Sequence, residues 1–245
     1  MKVVFLGATR GMGRSLARLM AARGDRLVLL GRDPEELRRS AADLEAAGAP
    51  HVSTVSCDLL NADTFEPALA DAARQLDGAF DTVVVTAGIF ATQDALERDA
   101  ALRDRVLTTD FTNTIHFCEA ARTALLAHGG GTLCVFSSVA GDASRKPVII
   151  YGAAKAGLSH YLNGLDHKFR AEGLATVLVK PGFVRTSMTA ELPEPPFAGD
   201  PDDVAKTVLR AIDRKTPVVY APPVWRFVML VIRNLPRAVM RKIGF

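Results

Sequence analysis

The chain has 245 residues, 49% of them hydrophobic and 23% charged, with a formal net charge of +3. This excludes a disordered polypeptide, suits one large α/β or barrel domain whose core needs no disulfide or metal staples, and leaves no charge-based argument for nucleic-acid binding. Cys57, Cys118 and Cys134, an odd count with no CxxC spacing, are expected to be reduced and core-packed. No apolar run approaches the ~18 residues of a membrane span. The chain also enters an apolar strand directly after Met1-Lys2, so a soluble, cytoplasmic protein without a targeting segment is expected.

Short apolar or β-branched runs alternate with helical patterns. The first predicted strand, 3–6, runs into Gly7-Ala8-Thr9-Arg10-Gly11-Met12-Gly13, and 14–23 then places Leu16, Leu19 and Met20 on one helical face. Glycines after an N-terminal strand let the backbone turn sharply and approach a pyrophosphate, held by the N–H groups of the following helix. The spacing is GxxxGxG rather than GxGxxG, so taken alone it marks either a tight βα turn or a dinucleotide cradle. The second strand, 27–30, ends in Gly31-Arg32-Asp33. An acid at this place selects NAD by bonding the ribose 2′-hydroxyl. Gly31 stands there instead, and Arg32 with Arg10 would clamp a 2′-phosphate, so NADP(H) is the expected cofactor. Asp33 reads as the N-cap of a helix over 34–47, with Pro34 at the first helical position and Glu36 at the third.

Further strands are predicted at 52–57, 82–86, 132–137, 175–180 and 218–220, near-continuously apolar as strands covered on both faces should be. Strand alternating with helix predicts an α/β fold, a single Rossmann-type doubly wound domain with a seven-stranded, mostly parallel sheet. It is expected over 1–223, with an apolar, basic helical extension over 224–245. Ser138 closes the fifth strand, placed to hydrogen-bond a carbonyl oxygen; thirteen residues on, Tyr151 and Lys155 share a helix face at i and i+4. A Lys ammonium beside a phenol favours the phenolate, so the Tyr151 pKa is expected to fall from about 10 towards neutrality. A YxxxK pair alone is most often an ordinary helix pair; with Ser138, behind a glycine loop, it marks a catalytic constellation.

From Met1 to about Thr189 these motifs resemble the short-chain dehydrogenase/reductase family. The resemblance implies a cofactor loop at Gly7, Thr9, Arg10, Gly11, Met12 and Gly13, and an adenine-pairing acid at Asp58 beside Leu59. Thr86-Ala87-Gly88 resembles the family's Asn-Ala-Gly, with Thr in the first place, and Ser138, Tyr151 and Lys155 match its catalytic trio. In the Pro-Gly segment, Pro181 and Gly182 precede Val184, whose backbone would contact the nicotinamide amide together with the Thr186 hydroxyl. Many members carry an Asn in the fourth helix that holds a water of the proton relay; Asp110 aligns there, with Asn113 as the alternative. The implied activity is NADPH-dependent reduction of a ketone, or the reverse alcohol oxidation: Ser138 polarises the carbonyl, Tyr151 donates the proton, and Lys155 tunes Tyr151 and holds the nicotinamide ribose. A non-catalytic NADP(H)-binding sensor, or an epimerase or dehydratase, could use the same scaffold. The segment 186–201, with Pro193, Pro195, Pro196 and Pro201, is expected to be a substrate lid.

Residues 214–245 carry seven basic residues and no acid, so the preceding 213 residues have a net charge of −4. The apolar run from Trp225 to Leu235 is about half a membrane span. A basic, apolar helix of this kind packs over a cleft, fills a dimer interface or lies on a membrane surface. The ending resembles that of family members acting on lipid-linked or otherwise hydrophobic ketones, such as the decaprenylphosphoryl-2-keto-ribose reductases. The expected partners are a small-molecule ketone or alcohol and a second copy in a homodimer, with peripheral membrane contact through the tail and no nucleic acid. The five histidines show no ligand spacing, and no metal is expected.

Overall fold

β1 (Lys2–Leu6) lies near the middle of a seven-stranded sheet, paired in parallel with β2 (Arg26–Gly31) on one side and β4 (Thr82–Val85) on the other. β3 (His51–Ser56) extends the β2 side, and β5 (Gly131–Phe136), β6 (Leu174–Pro181) and β7 (Val218–Ala221) extend the β4 side. The order is β3-β2-β1-β4-β5-β6-β7, and every pairing is parallel. The structure, a computed structural model, describes residues 1–242; positions 243–245, the end of the predicted extension, lie outside the described residues.

The inner strands are near-continuously apolar because both faces are covered, whereas the edge strand β3 (HVSTVS) is only partly buried. Val3 and Phe5 of β1 point into one core with α1 (Gly11–Ala22), α2 (Pro34–Ala46) and α8 (Pro201–Asp213), through Leu16, Met20, Leu37, Val204 and Val208. Val4 and Leu6 point into the other, with α3 (Phe65–Gln75), α6 (Asn113–Ala127) and α7 (Ile149–Phe169), through Leu69, Phe117, Cys118, Leu125 and Leu158. All three cysteines are buried and free, and burial pushes the Cys57 thiol up to about 11.

Asp33 caps α2, accepting from the amides of Glu35 (3.0 Å) and Glu36 (3.2 Å). α1 starts at Gly11, earlier than the apolar pattern suggested, so the second and third glycines of the loop form its first turn. Its N-cap, Arg10, makes no side-chain cap and its first turn holds no acid, which leaves free amides where the helix dipole is positive. Between β4 and α6 lie α4 (Gln93–Arg98), α5 (Ala100–Leu107) and a π-helical turn, Thr108–Thr112. The predicted tail helix is divided in two at Pro236: α9 (Trp225–Arg233) and α10 (Arg237–Lys242).

Because every pairing is parallel, the carboxyl ends of all seven strands lie at one edge, and the order turns outward in both directions between β1 and β4. Ligands in open α/β sheets bind at that switch point. The core beneath it is closely packed, with the Phe117 ring fully buried and edge-on to Phe65 at 5.6 Å between centroids. Phe117→Ala should therefore cost about 3–5 kcal/mol, seen as a lower urea midpoint with unchanged slope in equilibrium unfolding.

Candidate active site

The β1 and β4 ends approach so closely that neither glycine at the turn tolerates a side chain. Gly7 has φ +100°, and a Cβ there would stand 2.5 Å from the Ala87 amide nitrogen. A Cβ on Gly13 would overlap the Gly7 carbonyl oxygen. Thr86 donates its hydroxyl to that carbonyl at 2.8 Å, tying the β4 end to the glycine loop. From this junction a cavity of about 640 Å³ runs across the sheet edge. Thr9 and Arg10 line it at the loop, Arg32 at the end of β2, Asp58 and Leu59 after β3, and Ala87 and Gly88 after β4. Met12 instead packs against the α1–α2 core, and Thr186 lies over the loop, its Cγ2 3.4 Å from where a Gly11 Cβ would be.

Beside the cavity stand Ser138, Tyr151 and Lys155. Ser138 follows β5, and its Oγ accepts from the Ala140 amide at 3.1 Å to open a short 3-10 turn. That turn presses on α7: a Cβ on Gly141 would lie 2.7 Å from the Ala156 nitrogen. Ser137 donates to the Lys155 carbonyl at 2.9 Å and stands 2.8 Å from the Ser159 hydroxyl, which also bonds that carbonyl. These bonds fix the α7 turn that carries Tyr151 and Lys155. The Lys155 Nζ is 5.6 Å from the Tyr151 ring centroid, and Phe90 meets that ring edge-on at 5.2 Å.

Lys155 is only 4% exposed. Its Nζ is 3.5 Å from both Asp110 Oδ2 and the Phe136 carbonyl oxygen. The π-helical turn delivers Asp110 to this place, where its Oδ1 accepts from the Ile89 amide at 2.8 Å. Gly88 leaves the needed room, since a Cβ there would come within 3.1 Å of Asp110 Oδ1 and 3.5 Å of the ammonium. Burial raises the Asp110 pKa against the opposing pull of Lys155 and the Ile89 amide. Burial opposes the Lys155 charge, yet Asp110 and Tyr151 together hold its pKa above the ordinary lysine value. Tyr151, a half-buried residue at the cleft, corrects the expectation from its neighbour alone. Its pKa is raised, because desolvation outweighs the Lys155 charge and Asp110 adds to the rise.

Residues 1–196 match the family of short chain dehydrogenases. The chain belongs to the short-chain dehydrogenase/reductase family. It is similar to an uncharacterized oxidoreductase of Mycobacterium tuberculosis, 34% identical over 240 residues, 98% of this chain and 96% of the relative. Carbonyl reductase family member 4 of Danio rerio is 32% identical over 216 residues, 84% of this chain and 88% of its own. Among solved structures, a short chain dehydrogenase/reductase family protein superposes with TM-score 0.77 at 26% identity, covering 89% of this chain and 94% of its own. A short-chain type dehydrogenase/reductase from Mycobacterium marinum shares the fold, with TM-score 0.81 at 22% identity over 89% of this chain and 92% of its own.

As a short-chain dehydrogenase/reductase, this chain is an oxidoreductase that uses a nicotinamide cofactor. The bare glycine turn, the uncapped α1 and the cavity fit such a dinucleotide. One detail departs from the sequence reading. Arg10 is not free beside Arg32, because its guanidinium pairs with Glu36, which also lines the cavity. Asn113 points away from Lys155 and donates to the Leu59 carbonyl at 2.7 Å, bracing the wall after β3. Asp58 spends one carboxylate oxygen on the Leu60 amide at 3.0 Å. Pro181 ends β6, the Gly182 amide donates to the Ala221 carbonyl at 3.0 Å, and the Val184 carbonyl accepts from Thr189 at 2.6 Å.

Sequence reasoning missed Ser137 and Ser159, whose one signal is the Ser-Ser pair closing β5. It also missed Lys180 and Tyr220, which converge on Asp142, Tyr220 donating at 2.7 Å, and so brace the segment after Ser138. Asp110 facing Lys155 gives a direct test. The other two tyrosines, Tyr161 and Tyr220, are both pushed up by burial, Tyr220 to about 12. While Lys155 keeps its charge, removing the carboxylate charge in Asp110→Asn should move Tyr151 ionisation to lower pH, and a move to higher pH would show that Lys155 has lost its proton. Phenolate absorbance during alkaline titration, with Tyr151→Phe as the blank, measures the shift.

Proposed function

We propose that this chain is an NADP(H)-dependent carbonyl reductase that converts a hydrophobic or lipid-linked ketone to the alcohol, and runs the reverse oxidation by the same groups. The observation that carries this reading is the convergence of Ser138, Tyr151 and Lys155 beside the cavity. The name of the Danio rerio relative, a carbonyl reductase family member, supports it. The family's cofactor, when bound, supplies the hydride.

The residues of the chain do the rest. The Ser138 oxygen already accepts from Ala140, so its hydrogen is available to a substrate oxygen. The Tyr151 phenol, its pKa raised, is held protonated, which is the form that ketone reduction consumes. Lys155, held charged by Asp110, stabilises the phenolate left after proton transfer and offers a donor to the cofactor ribose. Asp110 takes the relay position that Asn holds in many relatives and acts through Lys155 rather than on the substrate. Gly7, Gly11 and Gly13 shape the pyrophosphate cradle, with Thr9 and Met12 in its turn. Asp58 and Leu59 serve the adenine end, while Ala87, Gly88, Pro181, Gly182, the Val184 backbone and Thr186 serve the nicotinamide end.

NADP(H) is favoured because no carboxylate side chain stands at Gly31 and Arg32 opens onto the cavity. Arg10, already paired with Glu36, gives weaker support than a free guanidinium would. The segment 186–201 forms the lid of the reductase unit, residues 1–223, which works as a homodimer in the cytoplasm; 224–245 is its extension.

In Tyr151→Phe, ketone-dependent NADPH oxidation should fall at least ~1000-fold while NADPH affinity stays within a few-fold; stopped-flow turnover and fluorescence titration measure the two. Arg32→Ala should weaken NADPH about tenfold and leave NADH nearly unchanged. Equal losses in paired titrations would refute the 2′-phosphate assignment.

A further inference from the structure

α9 has two apolar faces. Trp225, Met229 and Ile232 form the first and are buried against Val139, Phe183 and Tyr220. Phe227, Leu230 and Val231 form the second, and they are 68%, 61% and 62% exposed. At about 100° per residue the two triads lie on opposite sides of the helix. A surface helix of a water-soluble domain carries its polar residues on that outer side. Here Arg226 and Arg233 lie on one flank between the faces instead. α10 adds Arg237, Arg241 and Lys242, all exposed, with Val239 exposed among them. No acidic residue follows Asp213.

The outer face is held in a defined position. The Trp225 indole donates to the Phe197 carbonyl at 3.1 Å, and Lys146 donates to the Arg241 carbonyl at 2.7 Å. The nine residues of α9 are too few to cross a bilayer, and among the described residues no helix is long and apolar enough to do so. The pattern suits a helix lying in the plane of an interface, its apolar side in the acyl boundary and its cations among headgroups.

We propose that α9 and α10 form a docking surface for a bilayer bearing anionic headgroups, with Phe227, Leu230 and Val231 inserted and Arg226, Arg233, Arg237, Arg241 and Lys242 reaching the phosphates. Charge decides against a second copy as the occupant. A two-fold pairing on this face would bring two basic flanks together with no acid on either tail to neutralise them.

The test is flotation of the full chain with vesicles of phosphatidylcholine alone or mixed with phosphatidylglycerol. Partitioning should be at least ~10-fold greater onto the anionic vesicles and should fall as salt rises. The combined substitution F227S/L230S/V231S should abolish it, and R237E/R241E should erase the preference for anionic lipid; both should keep the wild-type thermal melt, since every altered side chain is exposed. Absence of the wild-type chain from anionic vesicles, equal binding to both vesicle types, or binding unchanged by the triple substitution would each overturn the proposal. A wild-type oligomer that the triple substitution dissociates, without vesicle binding, would assign the face to a second copy instead.

Discussion

The Lys155 ammonium is the point on which the site turns. A cation buried to this degree must be matched by nearby negative charge and dipoles, or it gives up its proton. Asp110 and the Phe136 carbonyl supply the match, and each arrives from a different element. The π-helical turn exists in the segment that delivers Asp110, Gly88 is bare where the pair needs space, and Ser137 and Ser159 hold the backbone of the turn that carries Lys155. The local irregularities around the cleft thus serve one electrostatic requirement. The raised Tyr151 pKa has another main cause: loss of solvent outweighs the help of the lysine charge, and the carboxylate adds to the rise.

The wholly parallel sheet makes such a cluster accessible. With both faces covered, the strands can present groups to a ligand only at their ends. The chain uses its carboxyl edge so that residues far apart in sequence, from Gly7 to Met188, border one elongated cleft. The acidic bulk of the domain and its basic tail divide the molecule electrically in a way that the near-neutral total conceals.

Much of this was legible in the sequence, for identifiable reasons. Double-sided burial makes the inner strands read as apolar runs, and β-branched residues mark the edge strand β3, so all seven could be found. The cap at Asp33 announces α2, because its carboxylate has no better use there than the amides of Glu35 and Glu36. Ser138, Tyr151 and Lys155 could be grouped because their spacing is itself the geometric message. The choice between Asp110 and Asn113 could not be read, since a π-helical turn shifts the register of side chains without a mark in composition. Nor could the pairing of Arg10 with Glu36, which depends on how α1 and α2 sit side by side. The direction of the Tyr151 shift is not legible either, because a charged neighbour is visible in a sequence and the loss of solvent is not.

The contact between Gly182 and Trp225 has a consequence for how this chain can vary. The indole fills the space that any side chain at 182 would occupy, and the same ring closes the small core of Val139, Met229 and Ile232. Neither position can drift alone: a larger residue at 182 displaces the ring, and a smaller one at 225 opens a hollow under the loop that the ring supports through Phe197. The Pro-Gly segment and the start of the tail form a steric couple. In related chains the two positions should change together or not at all, which makes the size of the residue at 182 a marker for whether the tail packs as it does here.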